Sequence, residues 1–445
     1  MQNPDDVAAC LRVLARAAES PDDPALAAVT AAVDKAYRAG KKRRRAERAV
    51  ARRHHDRALV ATARRYREEI PSVRAVEDAT TPVDRERTLR GSRRCYVCKD
   101  PYRRLDADYH MLCPSCAAEN TARRSARCDL TGRRAVVTGG RIKIGFHTAL
   151  KLLRDGASVL VTTRFPADAA RRFAAVPDAG DWLDRLWVHG VDFLDLAGVV
   201  GLVDAVREEW GELDILVNNA AQTIRRPAGY HREVRAAERE PVRGLAAAVR
   251  RTGERTAPVG TDLVAFESLF PVGMRDETGE PLDLRDTNSW VLRVGEVSPA
   301  EWLETHVVNA FVPFLLTGHL RPQLAASRHP DRYVVQVSAM EGSFSRPTKT
   351  PRHPHTNMAK AGLNMLTRTV AAEYAAEGIH MSSVDTGWVT DERPHASKTA
   401  ERAAGFRPPL DVVDGAARVY DPIVRGVGGA PVHGVFLKDY REVPW

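Results

Sequence analysis

The run Thr138-Gly139-Gly140-Arg141-Ile142-Lys143-Ile144-Gly145 constrains this chain more than any other. It follows the apolar segment Arg134-Ala135-Val136-Val137-Thr138 and opens a helical pattern, Phe146 to Asp155, that stops at Gly156. A strand that turns on glycines into a helix leaves backbone N–H groups at the helix start, where a pyrophosphate is held. Further apolar runs follow at Ser158–Thr163, Leu186–Val191, Leu213–Val217, Arg332–Val337 and Gly378–Val384, with helical patterns among them. Leu213–Val217 is strongly apolar, as a central strand buried on both faces requires. The expectation is a doubly wound α/β domain built on a parallel sheet.

The chain has 445 residues, of which 44% are apolar, so it is long enough for two or three domains. Residues 1 to about 75 read as helices rich in Ala, Leu and Arg, punctuated by Pro21, Pro24 and Pro71. Leu11, Leu14, Ala15 and Ala18 form a narrow apolar stripe that wants a partner surface. Lys41, Lys42, Arg43, Arg44, Arg45, Arg48, Arg52, Arg53 and Arg57 crowd one short helical stretch of a chain whose formal charge is +9. They suit either contact with a polyanion or protein partner, or a solvated helical face. The segment from about 223 to 300 is rich in Arg, Glu, Pro and Gly, with a helical patch near Glu233 to Val249. It is too long for an ordinary loop, which points to a lid, a substrate-gripping insertion or a partner surface. The expected division is a basic helical region over 1–90, a cysteine knuckle over 91–128 and the α/β domain over 129–445. No run of about 18 apolar residues exists to span a membrane. Met1 to Asp6 shows no basic start leading into an apolar stretch, so a secretory signal is not expected.

Four of the six cysteines fall in two pairs, Cys95-Tyr96-Val97-Cys98 and Cys113-Pro114-Ser115-Cys116. Each pair forms a tight turn around one side of a tetrahedral ion, and the residues between bring the pairs together. Four thiolates leave no open position, so the expectation is a structural zinc site in a reducing cytoplasm. His110 lies nearby but is surplus to a complete shell. Cys10 and Cys128 have no partners in sequence.

From about 130 to 445 the chain resembles the short-chain dehydrogenase/reductase superfamily. That family's Thr-Gly-x-x-x-Gly-x-Gly turn matches Thr138, Gly139 and Gly145, with Ile144 between and Lys143 in place of the middle glycine. Its adenine-binding Asp matches Asp192, followed by Phe193. Its Asn-Asn-Ala-Gly matches Asn218-Asn219-Ala220-Ala221, and its helical Asn matches Asn309. Its Pro-Gly turn beside the nicotinamide matches Thr386-Gly387. The resemblance implies a nicotinamide coenzyme across the sheet and dimers or tetramers built on Rossmann helices. NAD-preferring members end the second strand with an acid, whereas this chain has Thr163-Arg164. Arg164, Arg141 and Lys143 offer positive charge to a 2′-phosphate, which favours NADP over NAD.

The resemblance breaks at the reacting groups. Where the family carries Tyr-x-x-x-Lys, this chain has Thr356-Asn357-Met358-Ala359-Lys360, and the reacting serine is Ala339. A phenol ionises near ~10 and an aliphatic alcohol far higher, so threonine is a poor acid. Lys360, Asn309, Thr356 and His355 are the candidate catalytic residues, with His353, Glu341 and Asp385 behind them. Three readings stay open. The first is an atypical NADP-dependent oxidoreductase acting on a carbonyl or alcohol of unknown identity. The second is an inactive NAD(P)-binding sensor acting through its basic helices and knuckle. The third is a nicotinamide-assisted reaction without net redox change.

Overall fold

The computed structural model describes residues 3–67, 87–253 and 268–445. Pro71, the end of the expected N-terminal helices and the middle of the 223–300 segment lie outside these residues.

Two strands, β1 (Thr88–Arg94) and β2 (Pro101–Arg104), pair antiparallel as a small hairpin. The other strands form one sheet. They are β3 (Arg134–Val137), β4 (Ser158–Thr163), β5 (Leu186–Gly190), β6 (Ile215–Asn218), β7 (Arg250–Thr252), β8 (Arg332–Ser338), β9 (Ile379–Asp385), β10 (Phe436–Lys438) and β11 (Arg441–Val443). Their order is β11-β10-β9-β8-β6-β3-β4-β5-β7, parallel except for β11. The chain winds outward in both directions from β3, so a crevice opens beyond the ends of β3 and β6.

Side chains alternate along each strand, and both faces are apolar. Val137 and Val161 pack on one face with the helices Lys143–Arg154, Pro166–Ala174 and Val412–Val427. Val136 and Leu160 pack on the other with Leu196–Trp210, Val312–His319 and Pro354–Ala376. The six expected strands are present. The structure adds β7, β10 and β11.

β7 lies within the 223–300 segment, where no strand was expected: Arg250, Arg251 and Thr252 extend the sheet beside β5. They carry no apolar residue. At an edge, backbone pairing suffices, helped by the Thr252 hydroxyl accepting from Trp187 Nε1 at 2.6 Å and by Arg250 stacking over Trp187. The helical patch divides into the helix Arg232–Glu238 and a 3-10 turn, Gly244–Ala248.

The helix Pro4–Glu19 has no buried residue, and of its apolar stripe only Leu14 is half-buried. The helix Ala27–Val60 has 34 residues, about 51 Å. Its last residue, Val60, joins a third core with Leu89, Tyr102, Tyr109, Leu112 and the cysteines, into which Leu410 of the α/β domain also packs. A charged hub completes the contact. Asp411 and Asp414 cap the helix Val412–Val427. Arg124 Nη1 donates to both, at 2.6 and 2.9 Å. Arg65 Nη1 reaches Asp411 at 2.6 Å, and the Tyr109 hydroxyl donates to Asp414 at 2.7 Å. Burial alone would raise the Asp411 pKa, but Arg124 and Arg65 outweigh it and hold it low.

Removing one partner of a buried ion pair strands the others, at about 3–5 kcal/mol. Asp414→Ala is therefore expected to lower unfolding stability by that amount in a urea titration. A change below about 1 kcal/mol would show that the hub does not hold the parts together.

Candidate active site

The glycine-rich turn is held by a brace between β3 and β6. Thr138 Oγ1 accepts from the backbone N–H of Asn219 and of Ala220, both at 2.9 Å. Asn219 Nδ2 donates back to the carbonyls of Thr138 and Gly139 at 2.9 and 3.2 Å. Gly139 sits at φ +66°. A Cβ at Gly145 would lie 2.3 Å from the Gly139 carbonyl oxygen, so only glycine lets the helix start this close. Thr138, Gly139, Gly145, Asn219 and Ala220 thus come together at one turn, with the polar atoms of Thr138 and Asn219 spent on shaping it. The helix Lys143–Arg154 has no side-chain cap, which leaves its first N–H groups facing the crevice.

Lys143 adopts φ +53°, the conformation glycine would supply, at a cost of about 1 kcal/mol or more. Its ammonium lies 3.5 Å from Glu392 in the loop after β9. Burial would raise the Glu392 pKa, yet Lys143, the Thr390 hydroxyl, Arg226 and Lys398 together outweigh it and bring it to about 2.

Arg141 differs from expectation. Its guanidinium is buried and closed by Asp168 at 2.6 Å and by Glu280 of the insertion. Arg172 pairs with the same two acids. Arg141 therefore does not present a free charge to a 2′-phosphate. Arg164 is exposed, over the Phe165 ring and 3.4 Å from His231 of the insertion. Glu238, also in the insertion, accepts from the N–H of Ala167 and Asp168 at the start of the next helix. The insertion is thus anchored over the end of β4. Asp192 is buried after β5. One carboxylate oxygen accepts from Leu194 N at 3.0 Å, and the other has no partner. Phe193 is buried beside it.

At the far end of the crevice, Lys360 is buried and its Nζ donates to the Val337 carbonyl at 2.6 Å. Burial lowers its pKa to about 8. Asn309 lies in a single π-helical turn, Val307–Phe311. It clamps Gln222 after β6, accepting from its N–H at 2.6 Å and donating to its carbonyl at 3.1 Å. Thr356 is one helical turn from Lys360 on the same face, and its hydroxyl is buried without a partner. His355 sits about 100° round the helix, with Nε2 3.6 Å from Glu301.

His353 caps the start of the helix Pro354–Ala376. It is buried, stacks on Trp290 at 4.0 Å and lies 3.0 Å from Asn357 Oδ1. Asp385 is held by Met340 N, Gly387 N and Lys438, and so is not a free base. Glu341 pairs with Arg346 at 3.2 Å. Ala339 offers no hydroxyl, and Ser338 spends its own on Asn364.

The four Sγ atoms of Cys95, Cys98, Cys113 and Cys116 lie within 4.8 Å of one another. A tetrahedral shell at about 2.3 Å sets its sulfurs ~3.8 Å apart, and Cys98 and Cys113 stand at 3.8 Å. The donor set and its spacing fit a metal ion. The cluster also touches the candidate site: the Tyr96 hydroxyl accepts from Trp388 N at 2.9 Å, next to the Thr386-Gly387 turn.

Glu280, Asp168, Glu392, Glu301 and Gln222 were not expected at the site. No local pattern marks them: Arg141 and Glu280 are 139 positions apart.

The short chain dehydrogenase profile matches residues 133–248, and the enoyl-(acyl carrier protein) reductase profile matches 289–407. An uncharacterized protein of Acanthamoeba polyphaga mimivirus is 34% identical over 344 residues, covering 74% of this chain and 71% of that protein. The (+)-neomenthol dehydrogenase of Arabidopsis thaliana is 38% identical over 94 residues, which is 20% of this chain and 31% of that enzyme. Among solved structures, NADPH-bound carbonyl reductase from chicken fatty liver aligns at 17% identity with a TM-score of 0.47, covering 71% of this chain and all of that one. The chain belongs to the short-chain dehydrogenase/reductase superfamily, a class of oxidoreductases. Among the described residues no helix is long and apolar enough to cross a membrane.

Because Arg141 closes two carboxylates, Arg141→Ala is expected to destabilise the fold by about 3 kcal/mol or more. Thermal unfolding without any ligand checks this. An unchanged midpoint would return Arg141 to the ligand-binding groups.

Proposed function

We propose that the protein is an atypical NADP-dependent oxidoreductase that moves a hydride to or from a carbonyl or alcohol carbon. The reading is carried by the Thr356 hydroxyl, buried, unpartnered and one turn from Lys360. Buried hydroxyls are nearly always satisfied, so an orphan one turn from Lys360 supports a ligand that would complete it. The free Asp192 oxygen makes the same case at the adenine end.

The N–H groups at Lys143, Ile144 and Gly145 would hold the pyrophosphate. Asp192 would take the adenine amino group beside Phe193, and Lys360 with Thr386 and Gly387 the nicotinamide end. Arg164, alone of the three expected cations, keeps an exposed charge for a 2′-phosphate. The coenzyme supplies the hydride donor or acceptor when bound. Thr356 cannot hold a charge itself, so it passes a proton between the substrate oxygen and Lys360. In the oxidative direction the alcohol proton moves to Thr356 Oγ1 as that oxygen passes its own proton, by way of a bridging water because the two side chains share no direct hydrogen bond, to a neutral Lys360, and the carbon gives up a hydride to the coenzyme. Asn309 sets the loop at Gln222 beneath the substrate. His355, turned to Glu301, is a weaker candidate for the proton.

The sensor reading is favoured by Ala339 and by the engagement of Ser338 with Asn364. Bound coenzyme that copurifies without turnover over a broad carbonyl panel would select it. A coenzyme that never exchanges during turnover would select the reaction without net redox change.

A lysine titrating at about 8 gives opposite slopes in the two directions. Alcohol oxidation needs the neutral amine and is expected to rise through that pH. Carbonyl reduction needs the ammonium and is expected to fall. Lys360→Ala abolishes both. Profiles that stay flat across that pH would remove Lys360 from the proton path. Arg164→Ala is expected to weaken NADP binding about 10- to 100-fold and leave NAD binding alone, the worth of a charged hydrogen bond. Equal losses for both coenzymes would contradict the assignment.

The cysteine cluster is proposed to hold one structural zinc ion. Metal analysis should find one zinc per chain, and Cys113→Ser should lose it together with thermal stability. Purified protein that is fully folded and metal-free would refute this.

A further inference from the structure

The long helix Ala27–Val60 is bare over almost its whole length. Val60 is its one buried residue, and every Lys and Arg along it is exposed. The helix carries eleven Lys and Arg against three acids, +8 of the chain's +9, so the rest of the protein is close to neutral. Two acids pair locally: Asp34 with Arg38 at 3.1 Å, and Glu47 with Arg43 at 3.7 Å. The third, Asp56, turns inward and accepts from the N–H of Arg90 and Gly91 at 2.7 and 2.9 Å. Lys41, Arg44, Arg45, Arg48 and Arg52 have no carboxylate partner among the described residues. Their spacing of three and four positions sets them on one face of the helix. At its far end the Arg52 stem lies over Gly91 of β1, and exposed Arg90 and Arg94 carry the charge onto the hairpin.

We infer that this face binds the phosphodiester backbone of duplex nucleic acid without regard to sequence. The five cations of this face, from Lys41 to Arg52, span ~17 Å at 1.5 Å per residue, about one per 4 Å. A nucleic-acid strand carries one phosphate per ~3.4 Å, so the two charge densities are comparable. Eight of the helix's eleven cations are arginines, whose planar forks engage phosphate oxygens in pairs. The competing polyanion is an acidic bilayer. A helix that lies in a bilayer needs a broad apolar face with bulky residues. Between Lys35 and Arg57 the only bulky apolar side chains are Tyr37 and Val50. Base edges are not read, because no groove-reading motif accompanies the run. The inference is independent of the proposed oxidoreductase activity, since the helix does not line the crevice.

Fluorescence anisotropy of the full chain with a labelled duplex of about 20 base pairs tests it. Two unrelated sequences should bind alike, and affinity should fall roughly 10²- to 10³-fold between about 50 and about 200 mM salt, as for some five phosphate contacts. The combined variant Lys41→Gln, Arg44→Gln, Arg45→Gln, Arg48→Gln, Arg52→Gln should bind at least about 10-fold more weakly. Glutamine keeps helix propensity, so helical circular dichroism and the melting point should stay unchanged. A control that replaces the exposed Arg239, Arg243 and Arg368 by Gln should retain affinity. No binding at the lower salt would overturn the inference. So would equal binding by the five-residue variant, or capture by phosphatidylserine vesicles with no capture of the duplex.

Discussion

The close approach of Gly145 to the Gly139 carbonyl governs the rest of this molecule. A side chain there would collide with the backbone at 2.3 Å and with Asn219 at 2.4 Å. Because the contact exists, Asn219 can tie the carbonyls of the turn to β6, and Thr138 can close the loop from the other side. The two strands at the switch point are thereby locked in register, and the first N–H groups of the helix point into the crevice. Asp192 at one end and Lys360 at the other take their places relative to that junction.

Charge is handled differently at the edges of the crevice. The insertion brings Glu238 and Glu280 onto a helix start and an arginine that would otherwise invite an anion. Lys143 reaches to Glu392 across the crevice. Buried pairs of this kind add little net stability, since desolvation offsets their attraction, but they are costly to break. They act as fasteners for the insertion and for the loop after β9. The cysteine module fastens the same loop from below: Tyr96 accepts from Trp388, while Asp411 and Asp414 bind Arg65 and Arg124. Module and site share a wall, although the cysteines lie more than 230 positions from Lys360 in sequence.

The strands that pack on both faces were legible, because a run such as Leu213–Val217 has few other stable fates. The paired cysteines were legible because their spacing encodes their geometry. β7 and β11 were not, since short edge strands are held by backbone pairing and need no apolar signature. At the site, position along a motif told where Arg141, Lys143 and His355 lie but not what they face. Their partners Glu280, Glu392 and Glu301 come from segments remote in sequence. Only the tertiary fold shows that Arg141 is spent and that Thr356 is not.

Under the proposed function a reduced nicotinamide ring would lie beside Lys360 and the Thr386-Gly387 turn, which the exposed Trp388 follows. Exciting tryptophan while titrating NADPH into the pure protein tests this most directly. Saturable nicotinamide emission by energy transfer, displaced by NADP and weaker with NADH, is the expected result. No saturable emission and no measurable affinity with either reduced coenzyme would contradict it.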